Sequence, residues 1–306
     1  MTAVNALMTA IFEPGFFVSG PVHIAMIIGG GAAIVSGVVG VFTIIRGHAF
    51  AGHALADVSS AGGSASFLLG INPMVGFLVM AVAAACGMEL IGVRRARERD
   101  LVTGIMMGAG LGLSALFLYF DVTSMSTTGA AITVMFGSMF AIPGSVIPLA
   151  LGTGLAALLV SGLLYRPLLL SSLDPDLAEI QGVNVRLVGF LHLLVLSLAV
   201  ALSAMTVGAI LSTALLIGPA AIALHLAKRP GWAVILAALI GLGATWGGIL
   251  LAYDSFYWTP GHGWPVSFFI VTVIFLAYII AVHIGDGRKQ NDGPAPYGRP
   301  VETMEG

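Results

Sequence analysis

Apolar residues fill most of this chain in long runs, and polar residues gather in short breaks between them. A helix needs roughly 17–25 apolar residues to cross a bilayer. Nine runs meet or approach that length, at about 22–45, 54–70, 74–93, 101–120, 145–165, 186–205, 207–226, 232–252 and 264–285. The second run is short and rich in Gly and Ser, which makes it the weakest as a full span. Between the fourth and fifth, Asp121 to Pro143 mixes polar and apolar residues and reads as a loop with a re-entrant piece. The pattern therefore predicts an all-α, polytopic transmembrane bundle of 8–9 spans.

Charge placement tests the count. The 12 basic residues are Arg46, Arg94, Arg95, Arg97, Arg99, Arg166, Arg186, Lys228, Arg229, Arg288, Lys289 and Arg299. With the N-terminus outside and nine alternating spans, all of them fall on one side. The positive-inside rule makes that side the cytoplasm. The other side receives Glu13, Asp121 and Asp254. Residues 1–20 lack the basic start of a secretory signal and are expected to be retained as an interfacial segment. The transmembrane domain then runs over 21–285, and the Pro/Gly-rich segment 286–306 is expected to be a disordered cytoplasmic tail.

Small residues recur at four-residue spacing in Gly104, Gly108 and Gly112, and again in Gly243 and Gly247. Such stripes let helix backbones approach closely in lipid, and packing inside one chain is the simpler use for them. Tyr253, Tyr257, Trp258 and Trp264 cluster near the last outer loop, as an interfacial aromatic belt does.

Composition narrows the function. The chain is 58% hydrophobic and 8% charged, against about a quarter charged in a soluble domain, so an ordinary globular enzyme is excluded. The single cysteine, Cys86, gives neither a disulfide framework nor a thiolate metal cluster within one chain. A P-loop needs Gly-x-x-x-x-Gly-Lys-Ser/Thr, and Lys228 and Lys289 both have the wrong neighbours. The motifs HExxH, GxSxG and the EF-hand loop are missing too. Uphill transport by this chain would draw its energy from a partner or an ion gradient, and no nucleic-acid-binding feature is present.

The stretch from Arg46 to Pro73 carries the candidate chemistry. His53 and Asp57 lie four residues apart among small apolar residues, so they share a helix face. Ionisable groups within a membrane are costly and tend to face a bundle interior or a wet path. Imidazole and carboxylate together suit Zn²⁺, Mn²⁺ or Fe²⁺, and two such pairs could surround one ion on a dimer axis. The plainer reading is that the two side chains hydrogen-bond each other and lock a helix. A helix running on from Arg46 would put them about 10–17 Å deeper. Of the remaining groups, His48 lies at a span end and Glu89 is expected to pair with the cationic cluster near Arg94. His192 reads as a hydrogen-bonded core residue and His225 as a helix C-terminal residue. His23 and His262 flank the outer side.

The connection from Tyr165 to Val183 predicts a short helix with Asp174 near its N-cap, Pro175 in its first turn and Gly182 as its stop. Leu177, Ile180 and Val183 would share one face. By pattern alone it is a plain connector.

These residues together resemble the ABC-type permeases that import zinc, manganese and iron(II). The resemblance rests on Arg46, Gly52-His53-Ala54-Leu55-Ala56-Asp57, Gly62 and Leu69-Gly70-Ile71-Asn72-Pro73. It continues through Phe136-Gly137-Ser138, the stretch Asp174-Pro175 to Gly182, and Val207-Gly208-Ala209-Ile210-Leu211 with Thr213 to Ala221. It covers about residues 20–283. The resemblance implies a homodimer, a cytoplasmic ABC ATPase and an extracytoplasmic metal-binding protein as partners. It also implies that His53 and Asp57 line the metal path, although the family order is Asp then His. Asp174, Pro175, Ala178 and Gly182 match the region that contacts the ATPase. The transported ion is the substrate, expected to be Zn²⁺ rather than Mn²⁺ because of the imidazole, and no stably bound cofactor is implied. The rival class is a proton-coupled secondary cation transporter or channel, with Asp57 and the buried histidines as its relay. A non-transporting membrane scaffold is the third.

Overall fold

The computed structural model describes residues 15–91, 96–125, 129–258 and 263–291, and among these every regular element is helical. After a 3₁₀ turn at Phe16–Val18, twelve α-helices follow. They are α1 (Gly20–Ile45), α2 (Ala49–Leu69), α3 (Pro73–Ile91), α4 (Ala96–Phe120), α5 (Ala130–Phe136) and α6 (Ile147–Leu163). Then come α7 (Tyr165–Leu173), α8 (Pro175–Ile180), α9 (Val185–Val207), α10 (Ala209–Leu226), α11 (Pro230–Trp258) and α12 (Val266–Asn291). Eight of them are long and apolar enough to cross a membrane. The ninth long helix, α2, has 21 residues, enough for ~31 Å at 1.5 Å per residue, but too many Gly and Ser to qualify by hydropathy.

Its composition follows from its position. Helix α2 is enclosed by α3, α4, α9 and α10, and 14 of its 21 residues are buried. A helix walled by protein has no lipid to satisfy. Small residues instead let its neighbours approach, which is the main source of helix association in a bilayer. Gly62 on α2 and Gly76 on α3 meet backbone to backbone, and a Cβ on either would clash with the other's carbonyl. Helix α1 forms the other half of the centre, packed against α6, α9, α10 and α11. Ser36 of α1 and Ser203 of α9 share a hydrogen bond of 2.6 Å there.

The two glycine stripes correct the sequence-based expectation. Gly108 and Gly112 face open space, and so do Gly243 and Gly247. The packing face of α4 is the opposite one, carrying Thr103, Gly110, Ser114 and Leu118. That of α11 carries Ala233, Ala237, Gly241, Ala244 and Gly248. Spacing alone does not say which side of a helix a neighbour occupies.

Contacts at the chain turns gather described basic residues, Arg46 and Arg186 among them, at one end of the bundle. Arg186 at the start of α9 pairs with Glu89 near the end of α3 at 2.8 Å. The cluster near Arg94, the partner expected from the sequence, lies outside the residues whose side chains are described. Arg46 meets α7, and the rings of Phe42 and Tyr165 lie edge to face at 5.7 Å. At the far end Tyr253, Tyr257, Trp258 and Trp264 form the expected aromatic girdle with Phe16 and Phe269.

Asp121 opens a π-helical turn after α4, and the chain from Ala130 to Val146 then folds into the bundle. Helix α5 packs against α2, α9 and α10, and Ala130, Val134, Met139 and Val146 are buried. Gly137 and Gly208 meet there with positive φ angles of 75° and 95°, a conformation that side chains with a Cβ resist. Gly208 breaks the path between α9 and α10, and Thr206, Val207 and Ala209 around it are buried. Helix α12 runs to Asn291, whereas the remainder of the 286–306 segment, residues 1–14 and His262 lie outside the described residues.

Candidate functional site

Arg46, Gly47 and His48 make the turn between α1 and α2, with Gly47 at φ +66°. Helix α2 thus begins at Ala49 and not at Arg46. His53 lies about 6 Å and Asp57 about 12 Å along it, less deep than a continuous helix predicts. The helix stops at Gly70, whose φ of 65° lets its N–H reach back to the carbonyls of Ser66 and Phe67.

The structure brings His53 and Asp57 together. Nε2 of His53 lies 3.8 Å from Oδ2 of Asp57, too far for a hydrogen bond, so the lock expected from the plainer reading is not formed. Two donors each about 2.1 Å from a shared ion are separated by ~3–4 Å, which matches this gap. The two side chains differ in access. That of Asp57 is 3% exposed and that of His53 is 38% exposed. Oδ2 of Asp57 is buried with no hydrogen-bond partner, so its lone pairs are available to an incoming cation.

Thr213 on α10 was not singled out by sequence reasoning, and it supplies the orienting contact. Nδ1 of His53 and Oγ1 of Thr213 are 2.9 Å apart. When Nδ1 donates to this hydroxyl, Nε2, 3.8 Å from Asp57, is left as the nitrogen with a free lone pair, the arrangement in which a second partner sets a ligand's tautomer. Thr213 reaches His53 because the break at Gly208 starts α10 inside the bundle. The motif after Gly208 marked the segment, but nothing in it marks Thr213 as facing α2.

The surroundings hold the pair still. Gly110 of α4 lies against the backbone of Asp57 and Val58, where a Cβ would sit 2.6 Å from the Val58 nitrogen. Gly52 faces Leu216 of α10, and Ser64 hydrogen-bonds Ser114 at 2.8 Å further along the same seam. Among the described residues no group of three or more His, Cys, Asp or Glu side chains converges, so His53 and Asp57 stand as a pair.

The second candidate region lies at the basic end. Oδ1 of Asp174 accepts from the Leu177 N–H at 2.9 Å and caps α8, with Pro175 in the first turn. Ala178 is fully buried, and Gly182 at φ 80° ends the element. Leu173, Leu177 and Ile180 are 71%, 42% and 82% exposed, leaving an apolar patch with no cover in the monomer. Val183 turns inward beside Leu168 and Val188 and does not join that face.

The other histidines separate. His192 is buried and stacks on His48 with centroids 5.8 Å apart, but its Nε2 lacks the hydrogen bond expected of a core histidine. His225 bonds the Ala221 carbonyl through Nδ1 at the end of α10, and His23 is exposed.

With this geometry in place, comparison with known proteins is informative. Residues 22–284 match the model of the ABC 3 transport family. The chain belongs to that family. It is 30% identical over 249 residues to the "Manganese transport system membrane protein MntC" of Halalkalibacterium halodurans, covering 81% of this chain and 83% of the relative. It is 29% identical to the "High-affinity zinc uptake system membrane protein ZnuB" of Haemophilus influenzae, covering 73% and 85%. A chain of the solved complex described as "PsaBC from Streptococcus pneumoniae in complex with Fab" superposes with a TM-score of 0.76 at 28% identity, covering 90% of this chain and 95% of that one. The family and the apolar helices together make this a multi-pass membrane permease of the ABC type.

Proposed function

We propose that the chain is the membrane permease of an ATP-driven importer for a divalent transition metal, with His53 and Asp57 as the ligands on the path. The observation that carries this is the buried, unpartnered Oδ2 of Asp57 facing an imidazole that Thr213 orients. A buried carboxylate without hydrogen-bond donors is costly unless a cation visits it. Two ligands per chain hold an ion weakly, so a second copy in a homodimer completes a four-ligand site with a transient occupant. The basic end is the cytoplasmic one by the positive-inside rule, and α8 with Leu173, Leu177 and Ile180 is the docking point for a cytoplasmic ATPase subunit. Asp174, Pro175, Ala178 and Gly182 shape that element. An extracytoplasmic metal-binding protein delivers the ion at the aromatic end.

The ion is the substrate. One imidazole per chain argues for zinc, and the relatives named for manganese argue for manganese, so the proposal covers both ions. In proteoliposomes holding the chain and its ATPase, uptake of Mn²⁺ or Zn²⁺ should require ATP on the cytoplasmic side. Uptake by the chain alone under a proton gradient would overturn the reading in favour of a secondary transporter.

A further inference from the structure

The turn between α1 and α2 and the elbow between α7 and α8 are far apart in sequence, and Arg46 joins them in space by hydrogen bonds. Arg46 closes α1, its N–H donating to the Phe42 carbonyl at 2.9 Å. Its guanidinium Nη1 donates to Ser171 Oγ at 2.9 Å and reaches Ser172 Oγ at 3.5 Å. Both hydroxyls direct their own protons to the Leu168 carbonyl, so their oxygens face Arg46 as acceptors. The cation also sits by the last turn of α7, where the helix dipole favours it.

The elbow has no slack. Asp174 is at once the residue that ends α7, through its N–H to the Leu170 carbonyl, and the cap that starts α8. A displacement of α8 therefore moves the last turn of α7 and, with it, the acceptors of Arg46. On the other side only Gly47 and His48 separate Arg46 from α2. The His48 N–H is tied to the Thr43 carbonyl at 2.8 Å, and its own carbonyl accepts the Gly52 N–H at 3.0 Å. His53 follows in the next turn. The chain of rigid contacts thus runs from α8 through Ser171 and Arg46 to the start of the helix that carries both metal ligands.

We propose that Arg46 is a positioning residue for transport: it transmits displacement of the α7–α8 elbow to α2 and so couples ATP hydrolysis to the state of the metal site. This rests on the permease reading above. In this role Arg46 acts through Ser171 on one side and the 46–48 turn on the other.

The test measures ATP hydrolysis and metal uptake in the same proteoliposomes, with the full chain and its ATPase. Arg46→Ala should lower ions moved per ATP about tenfold, the scale of one lost charged hydrogen bond, with hydrolysis kept within about twofold. Ser171→Ala with Ser172→Ala should lower the ratio in the same direction, and adding Arg46→Ala to that pair should cost little more than Arg46→Ala alone. Arg46→Lys should recover part of the ratio, since an ammonium keeps a donor but loses the fork. A merely structural Arg46 would lower yield, hydrolysis and uptake together with the ratio unchanged, and that result overturns the inference. If Arg46→Ala fails to assemble, the serine pair gives the same reading. Wild-type vesicles in which uptake ignores ATP would overturn the permease reading and this inference with it. ATP-driven wild-type uptake with an unchanged ratio in the variants would overturn only the inference.

Discussion

Helices α2 and α11 are both long enough to cross a bilayer, yet they are built on opposite plans. Helix α2 is protein-walled, with 14 of 21 residues buried, and it holds serines, glycines, an imidazole and a carboxylate. Helix α11 buries 10 of 29 residues along one seam of small side chains. It turns Trp232, Ile235, Leu239 and Trp246 outward. The difference teaches that hydropathy in this protein reports contact with lipid and says little about centrality. The helix that qualifies least as a span is, with α1, one of the two at the centre of the bundle.

The contrast is sharpest in the glycines of α4, where one face packs on α2 and the other is open. Gly110→Leu, aimed at the Asp57–Val58 backbone, should cost about 3 kcal/mol or more of stability, with a lower unfolding midpoint in detergent and poor recovery of folded chain. Gly108→Leu should leave the midpoint unchanged, since nothing packed against α4 lies within 4 Å of its Cβ position. Equal effects at the two positions would erase the distinction between the faces.

A smaller effect is expected where α10 meets α2. Thr213→Val keeps the volume but removes the orienting oxygen, and should weaken apparent metal affinity in uptake about tenfold with little change in stability. Asp174→Ala removes the α8 cap and should cost about 1 kcal/mol, with ATPase association measured by co-purification reduced accordingly. The least effect belongs to the outer side of α11, where Leu239→Ala should change stability by less than about 0.5 kcal/mol.

Much of this was legible in the sequence, for physical reasons that can be named. The spans were readable because lipid demands apolar length. The α8 element was readable because Asp174, Pro175 and Gly182 each answer a local backbone requirement. The pairing of His53 with Asp57 follows from helix periodicity. What periodicity cannot supply is the identity of the neighbour. It gave the wrong side for Gly108, Gly112, Gly243 and Gly247, and it did not give Arg186 as a partner of Glu89. It also placed Val183 on the exposed face, when that side chain turns in. Thr213 stood in the motif after Gly208 without its contact to His53 being visible, because that contact depends on a helix break at Gly208 that starts α10 inside the bundle. The three-residue turn at 46–48 likewise shortened the depth expected for His53 and Asp57.

The central claim is that His53 and Asp57 hold the ion in passage. The most direct measurement is ATP-dependent uptake of Mn²⁺ and Zn²⁺ into proteoliposomes by the wild-type complex and by the His53→Ala, Asp57→Ala double variant, each ion also offered in competition with the other. The account predicts that the double variant keeps its unfolding midpoint and its association with the ATPase while uptake of both ions falls at least about tenfold. Uptake equal to wild type in a variant that lacks both ligands would contradict it.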